Sequence, residues 1–480
     1  MGSGKVTSSV SSGDFDWQGK RVTVAGLGVS GIPAAKALHA RGALVTVVND
    51  GDDARAREQA AELEALGITV RLGDGASLPE GTELIVTAPG WKPDKPLFEA
   101  ARAAGVEIWG DVELAWRLRG PEAAPWLAIT GTNGKTTTTQ MLASILKAAG
   151  LRTAAVGNIG ISVLDAVLGE EQYDVLAVEL SSYQLHWAPS VRAHSAAVLN
   201  LAPDHLDWHG SMEAYARDKG RVYEGNRVAC VYNVADKATE DLVREADVEE
   251  GCRAIGFTLG TPGPSQLGVV EGILVDRAFV ENRQKNAQEL AEVADVNPPA
   301  PHNIANALAA AALARAFGVP AKAVRDGLRA FTPDAHRIAH VADVDGVAYV
   351  DDSKATNTHA AEASLAAYES IVWIAGGLAK GAAFDELVAK SAKRLRGAVL
   401  IGQDRELIRE ALARHAPEVP VVDLDRTDTG AMLQAVTEAK RLARPGDTVL
   451  LAPACASMDM FTNYNQRGDA FAEAVRELGS

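Results

Sequence analysis

At 480 residues the chain is too long for one hydrophobic core, which sets an expectation of two to four domains. With 47% hydrophobic and 23% charged residues it has the balance of a soluble globular protein. Its formal net charge of −16 excludes a general nucleic-acid binder, which needs a basic surface, but leaves room for an anionic small molecule held by local Lys, Arg and helix N-termini.

Residues 1–15 open on a Ser- and Gly-rich stretch without an apolar core segment, so they are expected to form a disordered leader and not a signal peptide. No apolar run is long enough to span a bilayer, and the expectation is a cytoplasmic, monomeric protein that engages no membrane. Residues 21–25 read as a strand, followed by a glycine turn, a helix over 32–40 and a strand over 44–48. A helix over 54–66 and strands over 69–72 and 83–87 continue the alternation, which marks a parallel sheet with crossover helices. The Pro-containing stretch 120–125 is the expected first boundary.

A second run opens with a strand over 126–130 and a helix over 136–149, with further strands over 175–180, 196–200 and 227–232. Gly, Pro and Gln in 260–296 suggest a surface excursion, and the Ala-rich stretch 304–317 has the composition of a buried helix, with another helix over 321–329. A third run begins near residue 335, with strands over 347–350, 371–375, 398–401 and 448–451. The expected architecture is α/β with three domains: a Rossmann-like one over 16–122, a central P-loop ATPase-like one with a mostly parallel sheet over 123–332, and a Rossmann-like one over 333–480. Cys230, Cys252 and Cys455 contain no Cys-x-x-Cys pair and read as buried reduced thiols.

The sharpest local signal is Gly131-Thr132-Asn133-Gly134-Lys135-Thr136-Thr137, set between a strand and a helix. Its glycines let backbone N–H groups close around phosphate oxygens, the helix N-terminus adds partial positive charge, Lys135 supplies a full one, and the Thr136 hydroxyl suits Mg²⁺. The standard pattern has another glycine where Ile129 stands, so this is a tighter variant; a plain glycine turn would not need Lys and Thr in register. Glu179 ends a hydrophobic strand at the edge where open α/β sheets bind ligands, which makes it a Mg²⁺ candidate, with an ordinary exposed strand end as the alternative.

Gly26, Gly28 and Gly31 follow the first strand and open its helix, and Asp50 ends the next strand, the spacing of a dinucleotide fingerprint. The physics requires only an anion at a helix terminus beside a hydroxyl-rich group, and a UDP-sugar pyrophosphate satisfies that equally well.

The cradle together with Gly157-Asn158-Ile159-Gly160, Glu179 through Leu185, Asp204-His205-Leu206-Asp207, His302-Asn303 with Asn306, His336-Arg337 and Asp352 through Asn357 resembles the Mur ligase family in family order across nearly the whole chain. Asp352 through Asn357, Gly376 through Gly381 and Pro453 through Asp459 resemble the D-glutamate-adding branch, and the Asp-Asn-Pro-Arg signature of the diaminopimelate- and lysine-adding branches is missing. The resemblance implies an ATP-dependent enzyme of peptidoglycan precursor synthesis that adds D-glutamate to UDP-N-acetylmuramoyl-L-alanine through an acyl phosphate, with two Mg²⁺ ions.

It further implies that Gly131, Thr132, Asn133, Gly134, Lys135, Thr136, Thr137, Thr138, Asn306, Arg337 and Asp352 contact ATP. Thr136 and Glu179 would hold one metal and His205 the second, with Lys219 a ligand as its carbamate; Lys135, Glu179, His205 and Lys219 would be catalytic. Gly28, Val29, Ser30, Asp50 and Gly90 would take the uridine diphosphate end, Asn158, Ser181 and His205 the sugar-peptide end, and Thr356, Lys380, Ser457 and Tyr464 the amino acid. Tyr464 departs from the phenylalanine often found there. Outside the family frame Lys219 reads as a surface lysine and His205 as a hydrogen-bonded structural histidine. A folylpolyglutamate-type ligase shares the cradle but lacks the UDP-binding domain expected over residues 20–120. A non-catalytic nucleotide-binding protein would need a partner-binding feature, and an NAD oxidoreductase leaves the cradle and Glu179 unexplained.

Overall fold

The computed structural model describes residues 15–333, 335–426 and 428–478; most of the expected leader, 1–14, lies outside them. Its strands form three sheets. The first holds β1 (Arg21–Ala25), β2 (Leu44–Asn49), β3 (Thr69–Leu72), β4 (Leu84–Thr87) and β5 (Glu107–Gly110) in the order β3-β2-β1-β4-β5. All four pairings are parallel, so each connection crosses over through a helix or loop, and β4 is buried along its whole length. The strand order reverses at β1, which puts a crevice at the C-terminal ends of β1 and β4.

The second sheet holds β6 (Trp126–Thr130), β7 (Ala155–Gly157), β8 (Leu176–Glu179), β9 (Ser195–Val198), β10 (Ala229–Asn233), β11 (Arg253–Phe257), β12 (Gln266–Val270), β13 (Ile273–Asp276) and β14 (Gln288–Glu292). The order β14-β13-β12-β11-β10-β9-β6-β8-β7 seats β6 between β9 and β8. Pairing is parallel from β7 to β12 and antiparallel only in the β12–β13–β14 meander. That meander occupies the segment read as a surface excursion. Leu267, Leu274 and Leu290 are buried, and Asp276 on β13 pairs with Arg315 of the helix Pro301–Ala316 at 2.9 Å, so the segment extends the sheet. Along that helix Ala307 to Ala314 are buried on every side, as its alanine-rich composition requires.

The third sheet holds β15 (Ala339–Val344), β16 (Val347–Asp351), β17 (Ile371–Gly376), β18 (Leu395–Ile401), β19 (Val421–Asp423) and β20 (Thr448–Leu451) in the order β15-β16-β20-β17-β18-β19. Only the edge strand β15 is antiparallel. The chain divides into two compact units, the first made of residues up to Val296 with Ile304–Phe331, the second of Asn297–Asn303 with residues from Thr332. The first two sheets therefore lie in one unit and the third in the other. Among the described residues no helix is long and apolar enough to cross a membrane.

Candidate active site

The cradle forms where the buried strand β6 runs into the helix Lys135–Ala148. Gly134 is left-handed (φ +81°), and a Cβ there would strike Asn306 Oδ1, so the family-matched Asn306 stands against the helix N-terminus. A Cβ on Gly131 would lie 3.0 Å from Leu199 Cβ, because the loop after β9 packs on the cradle. That loop also holds it by hydrogen bonds: Thr132 N–H donates to Asn200 O at 3.0 Å and Asn133 N–H to Asn200 Oδ1 at 2.8 Å. The Thr132 hydroxyl is committed to the fold, donating to Ala202 O at 3.1 Å and accepting from Ala202 N–H at 3.0 Å. Lys135 Nζ lies over the turn, donating to Gly131 O (2.9 Å) and Thr132 O (2.8 Å), and Thr138 Oγ1 donates to Gly134 O at 2.9 Å. Thr136 and Thr137, in the helix's first turn, are buried.

Glu179 ends β8 directly beside Ile129 of β6. Its carboxylate is 1% exposed; Oε1 accepts from Asn158 Nδ2 at 2.8 Å, and Oε2 is buried with no hydrogen-bond partner. A buried carboxylate oxygen without a partner is costly, and a cation next to the cradle would satisfy it. Lys219, on the helix Met212–Gly220, is buried with Nζ donating to Gly131 O at 2.8 Å, so the surface-lysine reading is excluded. Burial, reinforced by the Lys135 charge and opposed by Asp204 and Glu179, pulls its ammonium well below the usual value.

His205 sits in a left-handed turn (φ +55°) with Nε2 3.4 Å from Asp204 Oδ2. Burial holds its imidazole below the usual value; Asp204 opposes this and the Lys135 and Lys219 charges add to it, so these side chains share one electrostatic environment. Among the described residues no three His, Cys, Asp or Glu side chains gather into a metal cage. Mg²⁺ does not require one, since it commonly takes one or two carboxylates together with phosphate oxygens and water.

At the crevice of the first sheet, the loops after β1 and β4 carry Gly28 and Gly90, and neither has any heavy atom within 4 Å of where a Cβ would stand. Gly31 differs: a Cβ there would collide with Gly26 O, which keeps the turn tight. Val29 projects into solvent at the tip, and the Ser30 hydroxyl donates to Asp111 Oδ2 at 2.8 Å. Asp50 pairs with Lys95 at 2.5 Å, while its neighbour Asn49 braces the turn by accepting from Leu27 N–H at 3.1 Å. The crevice borders the Asp204–Asp207 segment, for Trp208 Nε1 donates to Gly90 O at 3.3 Å and Lys92 Nζ to Asp207 O at 2.9 Å. Ser181 caps the helix Ser182–His186 in a reciprocal box with Gln184, so its hydroxyl already has a structural task.

In the second unit the expected amino-acid contacts come from three loops at the C-terminal ends of the neighbouring strands β16, β20 and β17. Ala454 N–H donates to Ala355 O, and Leu378 and Ala456 exchange two hydrogen bonds of 2.9 Å, which draws together the loops carrying Thr356, Ser457 and Lys380. Lys380 is exposed and left-handed (φ +50°), Ser457 is buried, and Tyr464 lies under Lys354 Nζ, 3.9 Å from the ring centre. Asp352 is buried, accepting from Ser364 Oγ and, at 3.3 Å, from Ile338 N–H; burial pushes its carboxyl up to about 6, with Ser364, Ile338 and Arg337 opposing.

Three family models match the chain: "Mur ligase MurD-like, N-terminal domain" over residues 20–110, "Mur ligase middle domain" over 129–314 and "Mur ligase, glutamate ligase domain" over 336–455. A protein of Streptomyces coelicolor named UDP-N-acetylmuramoylalanine--D-glutamate ligase is 88% identical, with 97% of this chain and 99% of that protein covered. The chain belongs to the Mur ligase family. A relative of the same name from Thermobifida fusca is 60% identical over 97% of this chain and all of its own length (100%). Among solved structures, the MurF ligase of Thermotoga maritima in complex with ADP shares the fold with a TM-score of 0.57 at 15% identity, covering 90% of this chain and 95% of that one. The protein is thus a three-domain α/β ligase of the ATP-dependent Mur type, acting in peptidoglycan synthesis.

Several residues that brace the candidate site residues within their own unit carry no signal in the sequence. Asn200 holds the cradle through its backbone and side chain, yet it reads as an ordinary strand end. Arg467 is 1% exposed and donates to Ser353 Oγ, Ser353 O and Cys455 O, joining two of the amino-acid loops; an arginine on an amphipathic helix gives no hint of such burial. Asp218 is a third. Burial alone would raise its carboxyl, but hydrogen bonds from His186 and His209 hold it down at about 2.

Proposed function

We propose that this ligase joins the amino group of D-glutamate to the lactoyl-alanine carboxylate of UDP-N-acetylmuramoyl-L-alanine, with ATP as phosphoryl donor. The observation that carries the phosphoryl-transfer chemistry is Glu179: a buried carboxylate oxygen without a partner, set one strand away from a Lys- and Thr-bearing phosphate cradle. The substrate pair is supported by relatives 88% and 60% identical that carry the name UDP-N-acetylmuramoylalanine--D-glutamate ligase. A folate-type reading gains nothing from residues 20–110, which match a MurD-like N-terminal model.

Residues 16–122 would hold the uridine diphosphate end, 123–332 the nucleotide, and 333–480 D-glutamate. Gly28 and Gly90 leave the pyrophosphate room to approach backbone at the helix terminus, with Val29, Ser30 and Asp50 around it. Asn158, Ser181 and His205 would face the sugar-peptide end. Gly131 to Thr138 would wrap the phosphates, and Asn306, Arg337 and Asp352 keep the nucleotide contacts that the resemblance implies. Lys135 would leave its loop carbonyls for the γ-phosphate, which concentrates positive charge where negative charge accumulates.

Thr136, Glu179, His205 and Lys219 would hold two Mg²⁺ ions. When bound, those ions would offset charge on the phosphoryl oxygens. Lys219 suits a carbamate because burial favours the neutral amine, the form that can attack CO₂; the N–C bond forms, a proton leaves, and a cation becomes an oxygen ligand. Lys380 and the hydroxyls of Thr356, Ser457 and Tyr464 would bind the two carboxylates of D-glutamate and aim its amine at the acyl carbon.

Labelling the alanyl carboxylate with ¹⁸O tests the reaction. Attack on the γ-phosphorus, followed by displacement by the amine, transfers one labelled oxygen to inorganic phosphate per amide formed. Product formation with unlabelled phosphate would overturn the proposal.

A further inference from the structure

The strongest constellation that the proposed chemistry leaves unused surrounds Asp218, the residue immediately before Lys219. One oxygen, Oδ2, accepts from two imidazoles: His186 Nδ1 at 2.9 Å and His209 Nδ1 at 2.9 Å. The other oxygen, Oδ1, lies 3.3 Å from Arg221 Nε, and Arg221 Nη1 also donates to His186 O at 3.3 Å. The side chains of His209 and Asp218 are 0% and 6% exposed, so these are interior contacts. A carboxylate only accepts, so both rings carry a proton on Nδ1, and His209 Nε2 shares a hydrogen bond of 2.9 Å with the Ser182 hydroxyl. The string Asp218–His209–Ser182 has the hydrogen-bond order of a nucleophilic triad, but Ser182 is itself buried. The arrangement holds structure and attacks nothing.

What it holds is specific. His186 ends the short helix that begins three residues after Glu179, His209 ends the turn that begins after His205, and Asp218 precedes Lys219 on the third element. The ring of Tyr183, between Ser182 and Gln184, stacks on His209 at 5.6 Å and leans on His205 at 4.9 Å. One carboxylate thus ties together segments that hold or adjoin three of the four proposed metal ligands, Glu179, His205 and Lys219. It does so by position, through hydrogen bonds of 2.9 Å to rings carried by the other two segments.

We propose that Asp218, through His209 and His186, is a positioning residue that fixes Lys219 where its amine can become a carbamate facing Glu179 and His205. This rests on the reading of Lys219 as a carbamate-bearing metal ligand. Partners one step removed from a metal commonly cost about 10- to 100-fold in metal affinity or activity when removed.

The test uses the full-length enzyme with ¹³C-bicarbonate and reads the carbamate carbonyl by ¹³C NMR, alongside the Mg²⁺ dependence of turnover. Asp218→Asn keeps the shape, but it removes the negative charge that both rings and Arg221 share and sets an N–H against the Arg221 guanidinium. The expected result is a carbamate signal weaker at equal bicarbonate, and an apparent Mg²⁺ affinity about 10-fold or more lower. His209→Asn, whose amide can still donate to Asp218, should retain most of the signal, while His209→Leu should lose it; this pair decides the matter if Asp218→Asn does not fold. Wild-type signal in Asp218→Asn, or equal loss in both His209 variants, would overturn the inference alone. A wild-type enzyme that makes product without any carbamate signal would overturn the reading of Lys219, and the inference with it.

Discussion

Replacing Asp352 by Asn should stabilise the second unit while impairing catalysis. Asp352 is buried, and its carboxyl is raised from an ordinary 3.8 to about 6, chiefly by loss of water. The unfolded chain therefore gives up this proton at lower pH than the folded one. Well below pH 4 both states are protonated and the group costs nothing; as pH rises towards 6 the folded state is increasingly penalised, and above 6 the penalty is constant. Two pKa units correspond to about 3 kcal/mol. Asn removes the titration and preserves the hydrogen bonds. Ile338 N–H still finds the amide oxygen, and the Ser364 hydroxyl, which also donates to Ala360 O at 3.0 Å, can accept from the new N–H. Denaturation of wild type and Asp352→Asn, followed at pH 4 and pH 7.5 through a probe confined to the third sheet, should give a difference of only about 0.5 kcal/mol at the lower pH and a gain of up to about 3 kcal/mol at the higher. The same variant should need more ATP for half-maximal turnover. A variant less stable at pH 7.5, or a difference that does not change with pH, would refute the reasoning.

The buried Lys219 amine and the cradle backbone give two further tests. Lys219→Ala should nearly abolish turnover, with short carboxylic acids restoring part of it by entering the space of the carbamate; ordinary activity in the variant would remove the carbamate from the account. Gly134→Ala forces a side chain into a left-handed turn (φ +81°) and into Asn306 Oδ1. The turn alone should cost about 1–2 kcal/mol, and the collision should raise the ATP requirement further, both readable from melting curves and initial rates.

The parts of this molecule that could be read from the chain are those encoded locally. A strand, a glycine turn, Lys135, Thr136 and a helix lie within about twenty residues, and the fold keeps them contiguous. Glu179 was legible because a hydrophobic strand delivers its last side chain to a predictable sheet edge. The meander β12–β14 was not, because Gly and Pro mark its turns as strongly as they would mark a loop, and its burial depends on Arg315 reaching Asp276 across 39 residues. Asp50, legible by spacing, is occupied by Lys95, a partner that spacing does not reveal. Ser30 and Asp111 are 81 positions apart, and Asp218 collects histidines from two other elements; such pairings come from tertiary packing. Lys219 shows both sides. The resemblance implies its proposed role, whereas the burial that makes such a role chemically reasonable comes from the structure.

The central claim is tested most directly by ADP release from the purified enzyme against a panel of amino acids, with and without UDP-N-acetylmuramoyl-L-alanine. Sustained ADP and phosphate formation, with one equivalent of the D-glutamyl product, is predicted only when the UDP-substrate and D-glutamate are both present. Equal turnover with L-lysine, diaminopimelate or a folate acceptor would contradict it.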